Sequence, residues 1–143
     1  MKSKQLDQYS FWWSEIRLVI ATIALLIGGV PPIFLIAPPA LSAITIVGLK
    51  TAWIISGVAA GYLLYRWYET GQKLFGGKDH MDTLAFLVMV VSGLNLGFTG
   101  VFGRNIGMSI LSGRLVFFLV ALLYAYVAWH LWKRAKKHDD KIF

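Results

Sequence analysis

The chain has 143 residues and a formal net charge of +7; 57% of its residues are hydrophobic and only 15% are charged. This is one domain's worth of chain with a composition far from that of a soluble protein, and it places the protein in a bilayer. Without cysteine there are no disulfides, thiolate metal sites or thiol catalysis, and basic residues at the ends of apolar runs point to anionic lipid rather than nucleic acid.

Four uncharged runs stand out, at 18–49, 51–65, 83–103 and 115–132. A transmembrane helix needs about 20 apolar residues. The pattern therefore predicts an all-α integral membrane four-helix bundle, a single domain made of two helical hairpins, with spans near 11–29, 41–66, 83–103 and 115–132.

Residues 1–10 are polar, and Ser10 is placed to cap a first helix beginning at Phe11. The basic start before LVIATIALLIGG also resembles a secretory signal, but the segment is expected to remain as the first span. An uncharged run as long as 18–49 cannot cross as one straight helix. Pro31, Pro32, Pro38 and Pro39 should end the first helix near residues 28–30 and turn the chain through PPIFLIAPPA at the outer interface. The second span must reach back to about residue 41 to be long enough, which puts Lys50 within it, its ammonium snorkelling outward. A polar connection, 66–82, carries the turn signal Gly76-Gly77 and offers Asp79 or Asp82 as the cap of the third span.

Basic residues set the expected orientation. Lys2, Lys4, Arg17, Arg66, Lys73, Lys78, Lys133, Arg134, Lys136, Lys137 and Lys141 fall on the side of the termini; only Lys50, Arg104 and Arg114 fall on the other. Eleven against three predicts cytoplasmic N and C termini, with anionic head groups at that face as partners. Trp12, Trp13, Trp67, Trp129 and Trp132 sit at the same level, as an aromatic belt would, with Trp53 the exception.

Membrane helices associate where small residues let backbones approach, which marks Gly57 and Gly61, Gly93, Gly97 and Gly100, and Ala121, Ala125 and Ala128 as packing residues. At about 100° per residue, Ser92, Asn95 and Thr99 project from the face of the third helix opposite its glycines. They are candidates for a pore lining or polar path. Asn95 has the alternative of an interhelical hydrogen bond that fixes register.

All seven acidic residues lie on the terminal side. Lys50, Arg104 and Arg114 thus have no carboxylate near them within the subunit; lipid phosphates are expected to satisfy them, with the alternatives that they form with Asn105, Ser109 and Ser112 a basic outer vestibule that concentrates anions, or that they meet an acidic partner. The glycine-rich segment 97–107 reads as a helix end and hairpin, with a re-entrant loop as the alternative.

Catalytic and cofactor signals are missing. His80 and His138 lie outside the spans and His130 near a helix end, so a bis-histidine haem is not expected. Asp79, His80 and Asp82, or His138 and Asp139, read as polar loops rather than metal sites. No serine, histidine and acid come together within the spans, and Gly76-Gly77-Lys78 lacks the rest of a phosphate loop. The chain reads as a non-enzyme without cofactor or metal. Glu15, the one carboxylate of the spans, falls near the cytoplasmic end beside Arg17, which argues against a proton-driven transporter. Two functions fit: a homo-oligomeric pore or permeation unit for anions or small solutes, and a structural or accessory subunit packed against a larger membrane complex.

Overall fold

A computed structural model describes residues 2–143. It is helical, with four long helices: α1 (Ser3–Leu26), α3 (Ser42–Glu69), α4 (His80–Phe102) and α6 (Arg114–Lys137), and two short ones, α2 (Ile33–Ile36) and α5 (Ile106–Ile110), in the far-end turns. All four long helices have the length and apolar content to cross a membrane. Helix α1 begins eight residues before the expected start at Phe11, so Ser10 lies buried within it and caps nothing. The amphipathic segment 3–10 keeps its helical hydrogen bonds because Asp7 and Ser10 face the bundle rather than water.

Helix α1 ends where Gly28 and Gly29 take positive φ values of 96° and 84°. At Gly29 a side chain would also collide, since its Cβ would lie 2.6 Å from Met108 Cε and 3.0 Å from the Phe117 ring. The proline segment forms α2 and a single 3-10 turn at Pro39–Leu41, which leads into α3 with Lys50 inside it and exposed. Helix α4 starts at His80 with Asp79 as its cap, three residues earlier than expected, and stops at Gly103 in a left-handed conformation. Helix α6 runs on to Lys137, one turn and more past the expected end at Trp132, because its last residues still cover the bundle. The segment 97–107 is a hairpin built from the end of α4 and the start of α5.

Each long helix is antiparallel to its neighbours in the order α1, α3, α4, α6, with α1 and α4 also touching across the diagonal. Packing is heaviest between α3 and α4 and next between α1 and α6; the expected hairpin pairs, α1 with α3 and α4 with α6, share less. Gly57 and Gly97 explain the first contact. A Cβ on Gly57 would lie 2.6 Å from Gly97 Cα, so the two backbones touch without side chains between them. Gly100 meets the Lys50 carbonyl and Gly93 meets Ala60 along the same seam, whereas Gly61 has only Leu94 within 4.0 Å. On α6, Ala121 and Ala128 are buried and Ala125 lies on the surface.

The terminal end is closed by its own loops. Leu74 and Phe75, from the 70–79 connection, and Ile142, from the tail, are buried against Phe11, Phe86 and Leu131, and the Phe75 N–H donates to the Ile142 carbonyl at 2.8 Å. Ion pairs join the helices there. Arg66 on α3 binds Asp7 on α1, and Asp82 on α4, 0% exposed, takes Arg134 at 2.7 Å and His130 at 2.8 Å, both from α6.

Candidate functional site

One stretch of α1, 13–17, carries the polar groups inside the bundle. The helical repeat turns Ser14, Glu15 and Arg17 inward together with Phe11 and Leu18, and all five are buried. Arg17 lies roughly 20 Å along α1 at about 1.5 Å per residue, level with the middle of α4. Its Nη1 donates to Ser92 Oγ at 2.9 Å and its Nη2 to the Met89 carbonyl at 2.8 Å. Ser92 Oγ in turn donates to the Met89 carbonyl, freeing its lone pairs for the guanidinium. Gly93 leaves room for this approach, for a Cβ there would lie 3.3 Å from Arg17 Nη2.

Arg17 is therefore not one of the surface cations that the charge pattern along the chain groups with the terminal side. It is 7% exposed, Glu15 is 4% exposed, and no ion pair within 4.0 Å involves either among the described residues. Arg17 Nε, Glu15 Oε1 and Ser14 Oγ are buried without any hydrogen-bond partner. Three such atoms within four residues of one helix are unusual, because a buried polar group normally finds a partner. Around them, Trp13 Nε1 donates to Ser56 Oγ on α3 at 3.0 Å, and the Tyr124 hydroxyl of α6 stands beside Arg17 and Ser92.

No protein-family model, curated protein or solved structure matches the chain. The geometry is accordingly the ground for a functional reading.

The three residues expected to line a polar path are each engaged. Ser92 holds Arg17. Thr99 Oγ1 donates back to the Asn95 carbonyl at 2.8 Å. Asn95 serves the far-end hairpin: its Oδ1 accepts from the Gly107 N–H at 3.0 Å and its Nδ2 donates to Asn105 Oδ1 at 2.8 Å, while Asn105 Oδ1 also caps α5 through the Met108 N–H. The polar face of α4 thus runs from Arg17 outward to the hairpin. Lys50, Arg104 and Arg114 are exposed at the far end with no acidic partner among the described residues, and Asn105 is half-buried among its hydrogen bonds. No group of three or more potential metal-ligating residues occurs among the described residues.

Sequence reading missed the centre of the site. Arg17 and Glu15 sit just before the first uncharged run, so they look like border residues of a span. The signal available was helical phase, since both share the inward face with Phe11, Ser14 and Leu18.

Proposed function

We propose that the protein is a membrane permeation unit for small anions or small neutral solutes, with the Arg17 cluster as its selective centre. One observation carries this reading: a guanidinium buried at mid-bundle, with no carboxylate within 4.0 Å of it among the described residues and one nitrogen unpartnered. An intramembrane cation is costly, and such groups characteristically face a solute pathway or a counter-ion. The Ser92, Asn95 and Thr99 face leads from it to the exposed Lys50, Arg104 and Arg114, whose charge would draw anions to that end. Several copies assembled through their apolar faces would set these cations in a ring. Ten basic residues remain at the terminal end once Arg17 is taken from the eleven, against three at the far end, which supports cytoplasmic termini.

A rival reading as a structural or accessory subunit draws on the internal bonding of Ser92, Asn95 and Thr99 and on the broad apolar surfaces of α3 and α6. Asn95→Leu does not separate the two readings, since it also unties the hairpin. Arg17→Gln does, because the amide retains a donor for Ser92 or Met89 while the charge is gone. In proteoliposomes loaded with an anion-sensitive dye, wild-type protein should pass chloride or nitrate. Arg17→Gln, eluting and melting like wild type, should pass them about tenfold more slowly, equivalent to about 1.4 kcal/mol on the barrier. A wild type impermeable to these anions and to small neutral solutes would leave the accessory role standing.

A further inference from the structure

We propose that anion movement through the Arg17 cluster is electroneutral, each monovalent anion travelling with a proton that Glu15 binds. The inference rests on the permeation reading, names its coupling, and reverses the sequence-based expectation that Glu15 argues against proton-driven transport, because the carboxyl is 4% exposed inside the bundle. A low-dielectric interior tolerates little net charge. Glu15 and Arg17 are two residues apart on α1, both more than nine-tenths buried, so a carboxylate and a guanidinium together leave the interior neutral. An anion arriving at Arg17 alone would leave that interior with an uncompensated negative charge, a state that a low dielectric strongly disfavours. If a proton joins the Glu15 carboxylate, the balance returns: neutral carboxylic acid, guanidinium and anion.

The surroundings suit the exchange. The charged group that acts on Glu15 is Arg17, two residues on along its own helix; α6 brings the Tyr124 hydroxyl beside Arg17, α4 brings Ser92 and α3 brings Ser56. Glu15 Oε1 and Ser14 Oγ have no partner, leaving the carboxyl free to accept a proton directly or through water. At the terminal end, a cavity of about 310 Å³ is lined by Lys4, Asp7, Gln8, Arg66, Asp140 and Phe143. Asp7 and Glu15 lie just over two turns apart along α1, about 12 Å at 1.5 Å per residue, with the fully buried Phe11 between them in sequence. Phe11 is the barrier a proton must pass from that side.

The test uses the full-length protein in proteoliposomes, with chloride and nitrate as probes and the membrane potential clamped by valinomycin and potassium. With an imposed gradient of about one pH unit, wild type should accumulate anion in the alkaline compartment, the side that receives the protons, to about tenfold, since one pH unit equals a tenfold ratio for one-to-one coupling. Changing the clamped potential should leave the final ratio unaltered. Glu15→Gln, neutral at every pH, should lose the pH-driven accumulation and move anion only as the potential dictates; Glu15→Asp should regain it. Wild-type flux that follows the potential and ignores the pH gradient overturns the coupling and keeps the permeation reading. Coupling that survives in Glu15→Gln overturns the assignment to Glu15. Absence of any anion flux in wild type overturns the coupling, and exclusion of small neutral solutes as well overturns the permeation reading.

Discussion

At the scale of single residues, local and tertiary effects separate cleanly at the start of α4. Asp79 accepts a hydrogen bond from the Asp82 N–H at 3.0 Å, and this bond holds its carboxyl below the ordinary value of 3.8. A depressed folded-state value means the cap contributes stability above that ordinary value and loses it as pH falls through the folded one. Asp79→Ala should therefore lower the thermal midpoint in detergent at neutral pH, with the gap to wild type closing in acid below 3.8, as followed by circular dichroism. Asp79 was readable as a cap because the motif is contained in four consecutive residues. Asp82, the other cap candidate, instead binds Arg134 and His130 from a helix some fifty positions on, which no local pattern reveals.

At the scale of helices, the α3 and α4 seam shows how much a small-residue pattern leaves open. Gly57 and Gly61 have the same spacing and chemistry, yet only Gly57 meets backbone, at Gly97. Gly97→Leu should separate the two helices and cost about 1–3 kcal/mol, the usual range for overpacking. Gly61→Ala, with its nearest neighbour at 4.0 Å, should stay within about 0.5 kcal/mol of wild type. Denaturation in mixed micelles compares the two. Ala125 makes the same point on α6: it repeats the spacing of Ala121 and Ala128 but drifts onto the surface. Four residues advance a helix by more than a full turn and three by less, so a regular spacing does not say which member faces the partner.

At the scale of the molecule, charge is divided by end. The terminal end holds the acidic residues other than the interior Glu15, and most basic ones, tied into pairs such as Asp7 with Arg66 and Asp82 with Arg134, while the far end carries Lys50, Arg104 and Arg114 with no acidic partner among the described residues. The chain has no cysteine, so single introduced cysteines report sidedness without background. Lys4→Cys and Lys141→Cys should react with an impermeant maleimide only after the inner face of intact cells is opened, and Arg104→Cys should react directly. The opposite pattern would invert the proposed topology and put the Arg17 cluster's anion-rich approach on the cytoplasmic side.

The four long helices, their approximate limits and the proline and glycine turns between them were legible in the sequence by itself, because backbone hydrogen bonding in hydrocarbon and the fixed φ of proline act on neighbours along the chain. Only the tertiary structure decided that Arg17 is an interior residue. The reason is rotational: a cation at the edge of an apolar run lies at the interface or inside according to which helices its face meets, and Arg17 meets Ser92, 75 positions away.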